Sequence, residues 1–158
     1  SIANKGVSGD TTASALARID EVIATHPDIT IVLLGGNDII ARTPRETTFA
    51  NLKAIIAQLQ KSGSFVIIIG VNGLLGDAYS DDFAALARET GSFLVPDVLD
   101  GILGETSLMS DQVHPNDAGY LKMADRIAPM LVQALYAAEP PTAKDQMAAT
   151  MRAFPFSE

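Results

Sequence analysis

Two residues near the end of the chain, Asp111 and His114, have types and a spacing suited to acid–base chemistry. A carboxylate three residues before an imidazole can turn back and hold its Nδ1–H. Nε2 is then free to accept a proton. Pro115 disfavours the α region at His114, so the ring is expected on extended backbone just ahead of a helix. Asn116 is a natural N-cap for that helix, and Asp117 suits the positive end of its dipole. The same stretch also describes a capped loop with a surface histidine, so the pair alone does not establish catalysis. His26, the other of the two histidines, stands before Pro27 and reads as a helix-terminal residue.

Two further stretches offer hydrogen-bond donors. Asn4-Lys-Gly-Val-Ser-Gly9-Asp-Thr-Thr carries glycines at 6 and 9, which permit a tight turn with backbone N–H groups exposed. Leu34-Gly-Gly-Asn37-Asp follows the apolar run Ile29–Leu34, so it stands at the carboxyl end of a strand. Open α/β sheets bind ligands at that end. Glycine and asparagine also suit an ordinary turn there. Neither Gly-x-Gly-x-x-Gly nor Gly-Lys-Ser/Thr is present, which argues against a nucleotide loop. With no cysteine, thiol catalysis, disulfides and thiolate metal sites are excluded. Two histidines far apart give a zinc site little support, and no cofactor is expected. A net charge of −8 with scattered lysine and arginine argues against nucleic acid as a partner. No apolar run approaches the ~20 residues needed to span a bilayer.

Taken together, these stretches carry a family resemblance. Asp111-Gln-Val-His114-Pro-Asn resembles the last conserved block of the SGNH (GDSL-type) hydrolases, the stretch around Gly9 resembles their second block, and Leu34-Gly-Gly-Asn37-Asp their third. The blocks stand in the family's order, and the likeness runs from about Ile2 to Ala138. It is greatest to the small bacterial lysophospholipase, thioesterase and arylesterase branch. The resemblance implies that Asp111 and His114 are the catalytic carboxylate and base, and that the Gly9 N–H and the Asn37 amide are oxyanion donors. It implies a small acyl, aryl or acetyl ester or thioester as substrate, and it is compatible with a periplasmic or secreted location. It also implies a flavodoxin-like three-layer α/β/α sandwich.

One departure stands out. The family's first block, a central strand ending in Gly-Asp-Ser, belongs upstream of Asn4, and no Gly-Asp-Ser occurs among the 158 residues. The chain opens at Ser1 without methionine or an apolar leader, as a processed or incomplete chain would. The nucleophile is therefore expected on a segment ahead of Ser1. Without the central strand, its neighbours would leave buried backbone groups unpaired. That strand is expected from a cleaved N-terminal fragment, from further residues of the same chain, or from a second copy. Within the chain Ser8, beside Gly9, is the nearest candidate nucleophile, although a serine in such a turn is expected to bond local backbone. The alternative reading is a non-catalytic relative that binds an acyl group or carbohydrate in the same cleft.

The elements that must position these residues alternate between strand and helix. Ile2-Ala-Asn reads as a strand stub. A one-sided helix is expected over 11–25, capped by Asp10. Ile29–Leu34 reads as a strand buried on both faces. Thr43-Pro-Arg-Glu46 predicts a capping box with proline at the first helical position and a helix to about Ser62. Phe65–Gly70 reads as a second buried strand. The segment 71–79 offers Leu74 and Leu75 either as walls for an acyl or aryl pocket or as part of a loop tucked onto the core. A helix capped by Ser80 or Asp81 should run to Thr90, followed by a strand over 93–95. A long connection over 96–110 delivers Asp111 and His114. The last helix, 117–138, has Tyr120, Met123, Ile127, Leu131 and Leu135 as its expected core stripe, with a kink or shifted start at Pro129. One domain should span 1–138, with 139–158 as a tail. The alternation predicts a parallel sheet covered on both faces.

Overall fold

Three short apolar runs pair side by side, all in the same direction, and make the centre of the molecule. The computed structural model describes residues 1–71 and 79–138. Its strands are β1 (Ile29–Val32), β2 (Phe65–Ile69) and β3 (Phe93–Val95), in the order β1-β2-β3. Both pairings are parallel: Ile29 lies opposite Phe65, and Ile67 opposite Phe93. Each crossover carries helix, as parallel strands require. The helices are α1 (Thr12–Ala17), α2 (Ile19–Ile23), α3 (Gly36–Ile40), α4 (Arg45–Lys61), α5 (Ser80–Thr90) and α6 (Asp117–Ala138).

Side chains alternate across the pleat and divide the core in two. Val32, Val66 and Ile68 face one side, packed with Ala15, Ile19, Leu52, Ile56, Leu59 and Phe83 from α1, α2, α4 and α5. Ile67, Ile69 and Val95 face the other, against Val98, Ile102, Leu108, Met123 and Ala134. Helices thus cover both faces, and the architecture is the three-layer α/β/α sandwich. The middle strand is sealed, with Ile67, Ile68 and Ile69 all fully buried.

Local chemistry moved several element boundaries. The first helix is two: Arg18, at φ −115° and ψ 15°, interrupts it between α1 and α2. Its N-cap is Thr11, not Asp10; Thr11 and Ser14 bond one another's backbone N–H in a reciprocal cap. Asp10 instead receives the Arg18 guanidinium and the Ser14 hydroxyl. The capping box expected at Thr43 and Glu46 is not made. Pro44, at ψ 135°, stands outside α4 as its N-cap, without a side-chain cap bond. Tyr79 takes the N-cap position of α5 in place of Ser80 or Asp81, again without a side-chain bond. Helix α6 runs continuously through Pro129.

Its buried side is narrower than the expected stripe. Met123 and Ala134 are buried, while Tyr120 and Leu135 are exposed. Over so long a helix the apolar row drifts around the axis, and its ends leave the sheet.

The expectation of a fully buried first strand fails at β1. Ile31 is 44% exposed and Leu33 47%. β1 is an edge strand, so one flank and part of the face toward α6 have no neighbour. Ile2-Ala-Asn forms no strand and Ile2 is almost fully exposed, because nothing among the described residues lies beside it to pair with. Leu74, Leu75 and the proposed tail over 139–158 lie outside the described residues.

The core makes a direct prediction. Phe83 is 1% exposed, and its ring meets that of Phe49 edge-on at 5.1 Å. Phe83→Ala should cost about 3–5 kcal/mol in urea unfolding, and a loss below about 1 kcal/mol would show that this half of the core is not packed as described.

Candidate active site

Because the strands are parallel, the segments leaving β1 and β3 emerge at the same end of the sheet. The segment after β3 holds Asp111 and His114. His114 Nδ1 stands 2.8 Å from Asp111 Oδ2, while Asp111 Oδ1 accepts the backbone N–H of Val113 and of His114, each at 2.8 Å. One carboxylate therefore organises the turn with one oxygen and the ring with the other. An Nδ1 proton shared with Asp111 leaves Nε2 as the acceptor. The Val113 N–H, then the imidazole, then the His114 N–H lower the Asp111 pKa to about 2. Asp111 is thus an anion throughout the pH range in which an imidazole works as a base.

The surroundings of this turn are built from backbone contacts. Met109 and Pro115 form an isolated antiparallel bridge, and the Ser110 N–H bonds the His114 carbonyl at 2.8 Å. Asn116 donates Nδ2–H to the Ser107 carbonyl and accepts the Gly119 N–H on Oδ1, so the N-cap of α6 also ties down the 3-10 turn over 106–108. Gly119 is a residue that the sequence reading passed over. A Cβ there would lie 2.3 Å from the Leu108 carbonyl and 2.8 Å from Pro115 Cβ, so only glycine lets α6 come this close to the turn. Its one sequence-level signal is a glycine in the first turn of a helix, where glycine is otherwise unfavourable.

The second cluster joins the residues around Gly9 to those around Asn37. Asn37 stands in the first turn of α3, a short helix that the sequence did not predict. Its Nδ2 donates to the Asp10 carbonyl at 2.9 Å. One carboxamide proton is held there and the other has no acceptor among the described residues. Gly9 has φ +83° at the turn closed by the Asp10 N–H and the Val7 carbonyl, and its own N–H has no acceptor among the described residues. Asp10 is held ionised, its pKa lowered chiefly by the Arg18 guanidinium. The adjacent Ser8 is exposed, and its hydroxyl bonds neither local backbone nor His114 among the described residues.

The structure therefore brings Asp111 together with His114, and Asn37 together with the Gly9–Asp10 turn. No hydrogen bond among the described residues joins the two pairs, which share the carboxyl end of the sheet. His26, in the connection between α2 and β1 with φ +49°, takes part in neither.

Fold and site together define an α/β/α hydrolase architecture, and the profile of the GDSL-like lipase/acylhydrolase family matches residues 1–122. The chain belongs to that family. Among its relatives is the arylesterase of Vibrio mimicus, 31% identical over 142 residues that cover 85% of this chain and 71% of the relative. The thioesterase 1/protease 1/lysophospholipase L1 of Escherichia coli K12 is 27% identical over 139 residues, 83% of this chain and 67% of that protein. The crystal structure of TesA superposes with a TM-score of 0.80 at 27% identity, covering 85% of this chain and 79% of that one.

Two measurements check the geometry. A carboxyl titration followed by NMR should place Asp111 near 2; a midpoint at the ordinary 3.8 would mean that the two N–H contacts are not held in solution. Since the folded value is the lower one, the stabilising contribution of Asp111 stands above 3.8 and disappears as pH falls through about 2. Gly119→Ala should cost about 1–3 kcal/mol of stability through overpacking and should lower activity by displacing the His114 turn; a variant matching the parent in both would show that the close approach at Leu108 is unimportant.

Proposed function

We propose that the chain is a serine ester hydrolase in which His114 is the general base and Asp111 fixes its tautomer. The Gly9 N–H and the free Asn37 amide proton hold the oxyanion. The observation that carries this reading is the Asp111–His114 contact, which orients an imidazole whose Nε2 has no partner among the described residues. In the reaction a serine hydroxyl gives its proton to Nε2 and attacks the acyl carbon. The tetrahedral oxyanion collapses, and the leaving alkoxide or thiolate takes the proton back. Water then repeats the sequence on the acyl-enzyme. The relatives' names, an arylesterase and a thioesterase 1/protease 1/lysophospholipase L1, favour aryl esters and thioesters among the candidate substrates.

The nucleophilic serine, on this reading, comes from outside the 158 residues, on a strand that joins the open flank of β1. Two observations support it. Ile31 in β1 and Leu33 just past its end are half exposed. The His114 and Asp111 side chains are 66% and 55% exposed, whereas oxyanion stabilisation needs water excluded. A strand supplied by the same protein, or by a second copy, would pair the free flank and cover the site. The chain offers Ser8 as the alternative nucleophile, placed beside Gly9 but without a bond to His114.

Fluorophosphonate labelling of the protein as isolated from its source, with peptide mapping, tests this directly. A labelled serine outside the present sequence is the expected result; label on Ser8 would transfer the nucleophile to the turn, and no label with no turnover of p-nitrophenyl acetate would overturn the hydrolase assignment. In the active protein His114→Ala should fall to background. Asn37→Ala should lose roughly 10²–10³ in kcat with folding intact, and full activity in either variant would remove that residue from its role.

A further inference from the structure

Asp38 follows Asn37 in sequence and is fully buried, yet it belongs to neither the base nor the oxyanion donors. A buried carboxylate persists only when donors replace water around it. Here Thr12 supplies two: its N–H to Oδ2 at 2.8 Å and its hydroxyl to Oδ1 at 2.6 Å. The Thr48 hydroxyl approaches Oδ1 at 3.5 Å. In the contact with Oδ1 the Thr12 hydroxyl is the donor. The Thr12 oxygen is then left to accept from Asn51 Nδ2, at 3.1 Å. The result is a directed relay from Asn51 through Thr12 to Asp38, bridging α4, α1 and α3.

This relay runs parallel to the Asn37–Asp10 bond. Thr12 lies two residues after Asp10, and Asp38 one after Asn37, so both contacts join the same two segments. Two Thr12 donors meet Asp38, against one bond between Asn37 and Asp10, and the Asp38 contacts are buried where that of Asn37 is only partly so. The stronger, buried pair therefore sets the spacing at which the weaker one forms.

We propose that Asp38 is the positioning residue of the oxyanion site: through Thr12 it holds the Gly9–Asp10 turn where the Asn37 carboxamide gives one proton to Asp10 and keeps the other for substrate. The proposal rests on the oxyanion reading above. Asp38→Asn preserves shape but turns an NH2 group toward a Thr12 donor.

The test compares Asp38→Asn, Thr12→Val and Thr12→Ser in the active protein. Asp38→Asn and Thr12→Val should each lower kcat by about tenfold or more, with KM changed by less than about threefold. They should weaken a trifluoromethyl ketone, which mimics the oxyanion, in proportion. Thr12→Ser, which keeps both donors, should restore kcat to within about threefold of the parent. By NMR, the parent should show one slowly exchanging Asn37 Nδ2 proton, and both variants should lose that protection. The NMR arm reads the geometry whether or not the protein turns over ester.

A folded Asp38→Asn protein with parental kcat and a protected Asn37 proton would overturn the proposal. If Asp38→Asn does not fold, the valine and serine variants at Thr12 decide: equal kcat and equal protection in the two would overturn it. Failure of the underlying reading looks different, because Asn37→Ala would then itself be fully active.

Discussion

Parallel strand pairing is the constraint on which the rest of this molecule depends. With β1, β2 and β3 aligned in one direction, each connection must cross back through helix, and each strand delivers its following residues to the same rim. Residues separated by most of the chain therefore reach one end of the sheet without any specific attraction between them. The buried isoleucines of β2 favour the alignment, because Ile67, Ile68 and Ile69 face both ways and leave no register in which one side of that stretch is wet.

At that rim the two halves of the site are held by different physics. The His114 half is local: one exposed carboxylate, two N–H groups and a ring within four residues, anchored to α6 by Asn116 and by the close approach that Gly119 permits. The Asn37 half is tertiary: a carboxamide reaching back 27 residues to Asp10, beside a buried carboxylate that reaches back 26 to Thr12. An exposed turn is cheap to deform and suits a group that must exchange protons with substrate. A buried side chain held by several hydrogen bonds resists deformation and, on the proposed reading, suits donors whose value lies in not moving.

The flank of β1 adds a third element of the same logic. Edge strands in stable proteins are usually shortened, charged or covered. Here Ile31 in β1 and Leu33 just past its end are half exposed, while Ile67, Ile68 and Ile69 of the neighbouring β2 are fully buried. A strand added on that flank would extend the sheet at the rim where both halves of the site stand.

Much of this was legible in the sequence, for physical reasons that can be named. Asp111 and His114 could be paired from spacing alone, since a contact over three residues needs little tertiary information. The strands were readable as apolar runs, and the helix ends expected near Ser62 and Thr90 fall where Gly63 and Gly91 adopt the left-handed conformation. The split of the first helix at Arg18 was not legible, because the apolar period continues across it while Arg18 turns to Asp10. Nor was the exposure of Ile31, since an apolar run does not say how many neighbours the fold supplies. Asp38 was hidden most completely: beside Gly and Asn it reads as one more turn residue, and its partner lies in another helix. The sequence by itself determined the local chemistry and the order of elements, which arise from contacts between near neighbours and from periodicity. Only the tertiary structure decided which distant segments touch, because that depends on how helices pack across a sheet rather than on any residue's own preference.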